Sequence, residues 1–228
     1  MVVGKVRTSP RISLNKLGEY LVSKPGRRRT IIRDQKEPSD FIVARYAEAK
    51  RIIQDCLVSG GADVRPVNRA IEGFSGSYET KWQKDTAILC ASALRAFLRM
   101  SASIPLNGFN PVRGIDNPEK MNISGVDVSV CPEIILLAPS QDNAIVGGVK
   151  LYFSKNNPLT EDASEFVGSV LYRYLSEVTS SESAVSYKNC TVVDVFAGKC
   201  FIAPKTYKRN MNDVAAACAE IYHLWNVA

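Results

Sequence analysis

Two stretches of the chain place acidic and basic side chains where they could act on a phosphodiester. The first is Pro132-Glu133-Ile134-Ile135-Leu136 and the second is Ile145-Val146-Gly147-Gly148-Val149-Lys150, with the turn-forming PSQDN between them. Aliphatic runs bounded by Pro, Asn and Asp read as a β-hairpin. Side chains two apart in a strand share a face, so adjacent strands bring Glu133 and Lys150 together. The chemistry this suggests needs a pair of carboxylates. They hold a divalent ion, Mg²⁺ in the usual case, which polarises a phosphate and lowers the pKa of a bound water. A lysine beside them steadies the developing negative charge. Glu133 supplies one acid and Lys150 the lysine. The other carboxylate must then come from elsewhere. Asp127 is one candidate, because it has the strand parity of Glu133; Glu72, Glu79 and Asp85 are others. Asp127, in Gly125-Val126-Asp127, could also serve as the first acid with the same Lys150. The catalytic candidates are therefore Lys150, Glu133 and Asp127, and the metal ligands Glu133 and Asp127. The competing reading is an ordinary cross-strand ion pair on a solvent face, which contributes little. Adjacent glycines just before Lys150 suggest close approach of another backbone or of a ligand.

The charge distribution points the same way. The net charge is +6, yet residues 1–36 carry ten basic side chains against two acidic ones, so the remaining 192 residues sum to −2. Basicity this local indicates a binding surface. Arg27, Arg28, Arg29 and Arg33, with Lys24 and Lys36, are placed to contact nucleic-acid phosphates, since guanidinium forks match phosphate geometry. Tyr20 could stack a base, although its spacing fits a core position better. The alternatives for the arginines are a solvated helical face or an acidic protein partner.

The hairpin motif resembles the signature of PD-(D/E)xK nucleases, an acid after proline on one strand and acid-x-lysine on the next. Residues 12–29, ISLNKLGEYLVSKPGRRR, resemble the opening helix of the RecB-like members of that group. The resemblance implies the element order helices, strand pair, helix, strand pair, helix. It also implies Mg²⁺-dependent cleavage of DNA, with Glu133 and Asp127 on the ion, Lys150 stabilising charge and Arg27 to Arg29 on the backbone. Three positions depart from the pattern. Lys24 precedes Pro25 where iron–sulfur members carry cysteine, so no iron–sulfur cluster is implied. The helical region lacks the family's metal-ligand histidine, and Gly148 replaces an acid. These departures give the alternative: a non-catalytic nucleic-acid-binding or scaffold subunit of a larger complex.

Helices and strands must position these residues. Helical periodicity appears over Ser13 to Leu21, around Ile31 and Ile32, over Phe41 to Val58 and over Tyr78 to Met100, where Trp82, Leu89, Ala93 and Phe97 mark the inner face. Val126, Val128 and Val130 alternate with Asp127, Ser129 and Cys131 in a strand that continues into PEIILLA. A strong stripe from Phe166 to Val178 follows, capped by Thr160, then strands TVVDVFAG and CFIAPK and a last helix from Asn212 to Trp225. The fold class is α/β, with α+β possible: a central mixed sheet of about four or five strands flanked by helices. The divisions are a basic helical region 1–103, a connecting loop 104–121 and an α/β nuclease-like core 122–228.

Composition narrows the chemistry further. Apolar residues at 46% and charged residues at 23% suit a folded globular domain. No run approaches the roughly 18 to 20 apolar residues of a membrane helix. MVVGKVRTSPR lacks the apolar centre of a signal peptide, so a cytoplasmic location without membrane contact is expected. The six cysteines show no CxxC spacing, so buried free thiols are expected and zinc is not. The single histidine, His223, fits helix packing and excludes a multi-histidine metal site within one chain. No Gly-rich phosphate loop or dinucleotide fingerprint occurs.

Overall fold

The computed structural model describes residues 6–38, 45–139, 144–178 and 185–227. In chain order the elements are strand β1 (Arg11–Ser13), helices α1 (Leu14–Leu21), α2 (Pro25–Lys36), α3 (Ala47–Val58), α4 (Arg65–Gly73) and α5 (Lys81–Met100), then strands β2 (Asn110–Arg113), β3 (Met121–Ile123), β4 (Val126–Ser129), β5 (Ile134–Leu137) and β6 (Ile145–Tyr152). Helix α6 (Glu161–Val178), strands β7 (Cys190–Asp194) and β8 (Lys199–Ile202) and helix α7 (Tyr207–Leu224) complete the chain. Five strands form one mixed sheet in the order β2-β5-β6-β7-β8, and three form a second in the order β1-β4-β3. Only the β6/β7 pair of the large sheet is parallel, because α6 carries the chain back over one face between them. This is the expected α/β architecture with a central mixed sheet; the smaller sheet was not foreseen.

Periodicity explains the layers. Along β6 the side chains of Val149 and Leu151 face one way and join Ile134, Leu136, Val193 and the inner faces of α3 and α5 in one core. Tyr152 and, on β7, Cys190 and Val192 face the other way, into a core built with α1, α6 and α7. The sheet is thus covered by helices on both sides, and β7 is buried along its whole length. Helix α6 follows its apolar stripe as expected, and Thr160 Oγ1 accepts a hydrogen bond from Ala163 N–H at 3.2 Å.

The structure departs from the sequence expectations at identifiable points. The N-terminal segment does not belong to a separate helical region. Ile12, Leu14 and Leu17 pack in the same core as Val126, Val128 and Val167, and β1 pairs in parallel with β4. The span 104–121 is no simple connecting loop, since it contains β2, an edge strand whose Pro111 and mostly exposed side chains hide it from pattern reading. The long strand expected over 126–138 is two strands in two sheets. Cys131 adopts φ +43° and Pro132 follows it, and the chain turns there. Helix α4 lies where no periodic stripe was legible. Helix α5 starts only at Lys81, after a Thr80–Gln83 capping box, so Trp82 falls in the first turn and is 43% exposed.

Both glycines before Lys150 are there for backbone approach. A Cβ on Gly147 would collide with the carbonyl of Asn189, and one on Gly148 would lie 2.9 Å from the Ile134 carbonyl and 3.0 Å from Leu175 Cδ1. The close neighbour is protein.

All six cysteines are free, with Cys56, Cys90, Cys190 and Cys218 buried and Cys131 and Cys200 half-buried. Burial pushes the Cys190 and Cys218 thiols up to about 12. A thiol-alkylating reagent at neutral pH should therefore label Cys131 and Cys200 in the native protein and the other four only on unfolding. Peptide mass mapping checks this; native labelling of Cys190 at the same rate would contradict the packing. Among the described residues, no helix is long and apolar enough to cross a membrane.

Candidate nucleic-acid interface

The site forms where β5 stops short of β6. Ile134 pairs with Val149, and the Glu133 N–H donates to the Val149 carbonyl at 2.9 Å. Beyond that point the chain turns away at Pro132, and the Leu151 N–H has no strand to meet. The Glu133 side chain takes that place: its Oε2 accepts from Leu151 N–H at 2.7 Å. The other carboxylate oxygen, Oε1, accepts from Lys150 Nζ at 3.0 Å and lies 2.7 Å from Lys50 Nζ. Lys150 Nζ also donates to the Cys131 carbonyl at 2.8 Å, which holds the turn. Lys50 reaches in from α3, and Gln54, one helical turn further on, donates from Nε2 to the Glu133 carbonyl at 3.0 Å.

Burial explains why these partners are needed. The Glu133 side chain is 3% exposed and Lys150 8%, whereas Lys50 is 37% exposed. A buried carboxylate persists as an ion only when paired and hydrogen-bonded. Lys50 feels burial, which lowers its pKa, but the Glu133 carboxylate beside it outweighs this and holds it above the ordinary lysine value.

A cleft of about 780 Å³ opens over the triad. Five basic residues line it, Lys16, Arg45, Lys50, Lys150 and Lys155, against two acidic ones, Glu19 and Glu133. Tyr46 and Phe153, also in its wall, stack with ring centroids 5.6 Å apart. Glu19 is engaged by Lys16 Nζ at 2.6 Å and Arg27 Nε at 2.7 Å. Burial raises its pKa, but those hydrogen bonds prevail and hold it below the usual carboxylate value. Positive charge therefore dominates the cleft.

None of the acids expected to join Glu133 as a second carboxylate stands with it in this cleft, where Glu19 is the other acid. Glu133 has both oxygens occupied by ammonium and N–H donors. Gly148 has no room for an acid. Asp127 sits on β4 in the other sheet, where its Oδ1 accepts from Asn122 Nδ2 at 3.0 Å, and it is not part of the cleft wall. The turn at Cys131 breaks the alternation that would have put Asp127 on the face of Glu133. Glu72, Glu79 and Asp85 are exposed and outside the cleft wall. Among the described residues, no three His, Cys, Asp or Glu side chains are grouped to hold a metal.

The four arginines divide into two pairs. Arg27 pairs with Glu19 at the margin of the cleft. Arg28 is structural: it donates to the carbonyls of Tyr20, Leu21 and Ser23 at the end of α1, pairs with Glu220 at 3.1 Å and lies over the buried Tyr20 ring. Tyr20 is a core residue and offers no stacking face. Arg29 and Arg33 are exposed one turn apart and line a separate hollow of about 330 Å³ with Ile32, Leu224 and Val227. His223 is exposed on α7, outside the cleft wall.

Sequence reasoning found Glu133 and Lys150 and missed Lys50, Gln54, Arg45, Tyr46, Lys16 and Lys155. A signal for two of them was present. Positions 50, 53, 54 and 57 form one helical stripe, so Lys50 and Gln54 are polar residues on the inward line of Ile53 and Leu57. The chain was compared with protein-family models and with curated proteins, and matches none.

Proposed function

We propose that this protein binds nucleic acid through the basic cleft of a nuclease-like fold, without metal-dependent cleavage, as a subunit of a larger complex in the cytoplasm. The observation that carries this is the pairing of Glu133 with Lys50 and Lys150, which turns the position of an ion-holding acid into a cationic cluster. Other features support it. After β1 the order is five helices, a run of five strands that ends in the β5/β6 hairpin, a helix, a strand pair and a helix, which accords in outline with the PD-(D/E)xK resemblance, as does the contact between Glu133 and Lys150. Cationic clefts with aromatic walls suit a phosphate backbone and its bases. Six free thiols accord with a reducing compartment.

The test is binding of labelled single- and double-stranded DNA over a salt series in EDTA, beside cleavage assays with Mg²⁺ and Mn²⁺. Binding should survive EDTA and fall with salt. If roughly four phosphates are contacted, the log–log slope is about −3 to −4. No cleavage should occur. The juxtaposition of Glu133 and Lys150 also favours the second reading, an active Mg²⁺-dependent nuclease. Cleavage that Lys150→Ala abolishes, in a variant that thermal melts show to be folded, would establish that reading, and absence of salt-sensitive binding would overturn both.

A further inference from the structure

We infer that Lys50 is a built-in cation standing in for the divalent ion at Glu133, and that its ammonium contacts a nucleic-acid phosphate directly. This rests on the nucleic-acid reading for the identity of the anion, though not for the role of Lys50 at Glu133. The two lysines on Glu133 differ in kind. Lys150 is enclosed, and its ammonium is held by both Glu133 and the Cys131 carbonyl. Lys50 enters from the cleft side, more than a third exposed, 2.7 Å from Glu133 Oε1. An ammonium has three N–H donors, so Lys50 can bind Glu133 and still present donors to an anion in the cleft.

The charges match the substitution. Two carboxylates, one divalent ion and a lysine carry a net +1. Glu133 with Lys50 and Lys150 also carries a net +1. The cluster keeps the positive field that attracts a phosphate while dispensing with a second acid, consistent with the glycine at position 148 and its lack of space. An ammonium is no Lewis acid and does not generate a metal-bound hydroxide, so the contact binds phosphate without activating water against it. Lys16, Arg45 and Lys155 extend the same positive surface along the cleft.

The experiment has two readouts. Mn²⁺ binding to the protein alone, followed by the electron paramagnetic resonance of free Mn²⁺, compares wild type with Lys50→Glu, which sets a second carboxylate beside Glu133. The variant should bind Mn²⁺ in the millimolar range or tighter, and wild type should not. DNA binding in EDTA then compares wild type, Lys50→Gln and Lys50→Arg. Lys50→Gln should lose one phosphate contact, lowering the salt slope by about 0.7–0.9 and weakening binding about tenfold, while Lys50→Arg retains both. Wild-type Mn²⁺ binding equal to that of Lys50→Glu would overturn the inference, and so would an unchanged slope in Lys50→Gln. If wild type binds no DNA, the nucleic-acid reading fails while the Mn²⁺ comparison still decides the role of Lys50. Lys50→Gln is a neutral change at a partly exposed position, so the slope remains measurable even if Lys50→Glu unfolds; thermal melts identify that case.

Discussion

Glu133→Ala should destabilise the fold by about 3–5 kcal/mol, the range for removing one partner of a buried ion pair. Three groups lose their acceptor together. Lys150 is left charged at 8% exposure, Lys50 loses its counter-ion, and the Leu151 N–H loses its hydrogen bond beyond the end of β5. An unsatisfied buried N–H alone costs about 1–3 kcal/mol. Lys50→Met should cost much less, about 1 kcal/mol or under, because Lys50 is partly solvated and Glu133 keeps Lys150. The double change Glu133→Leu with Lys150→Met should recover only part of the loss, since it removes the stranded Lys150 charge but leaves the Leu151 N–H without an acceptor. Urea unfolding of the set checks the ordering. A loss below about 1 kcal/mol for Glu133→Ala would mean that the triad is not the anchor of this corner of the sheet. For the same reason, replacing Lys150 is not neutral for folding, and any loss of function in such a variant needs a stability control.

Gly148→Asp, which restores the acid of the nuclease signature, should unfold the protein or lower its stability by more than about 3 kcal/mol. The added Cβ meets the Ile134 carbonyl at 2.9 Å and Leu175 at 3.0 Å, and neither the strand nor the core of α6 can retreat freely. The carboxylate would also enter the apolar packing beside Leu175, where desolvating it costs several kcal/mol unless it is fully paired. Gly148→Ala isolates the steric part and should cost about 1–3 kcal/mol. Soluble yield and melting temperature of the two variants measure both contributions. An Asp variant that melts like wild type would show that the position has room, and the metal-dependent nuclease would again be a candidate.

Local patterns were legible where the physics is local. The stripe of α6 and the hairpin of β5 and β6 depend on neighbours within a few residues. The cap of α5 is also written locally, as Thr80 followed by Gln83, and it starts the helix at Lys81, which leaves Trp82 in an exposed first turn although its spacing fits the inner face. Asp127 shows the limit of parity arguments. Alternation holds only along an unbroken strand, and one residue at positive φ before a proline cancels it. Edge strand β2 carries little apolar pattern because little of it is buried.

Composition and periodicity determined that this chain folds as α/β with a mixed central sheet, that its basic charge is concentrated near the N-terminus, and that Glu133 and Lys150 meet across a hairpin. Adjacent strands impose that last contact whatever surrounds them. Only the tertiary structure decided what the meeting means. Lys50 lies 83 positions from Glu133 in sequence, and nothing in the hairpin requires a helix to deliver a second ammonium to the same oxygen. The division of the four arginines draws on packing as well: Glu19 meets Arg27 across the short α1–α2 junction, whereas α7, packed against α1, brings Glu220 to Arg28 from 192 positions away. Charges are set by residue type, but whether a charge is neutralised, buried or offered to a ligand depends on long-range packing.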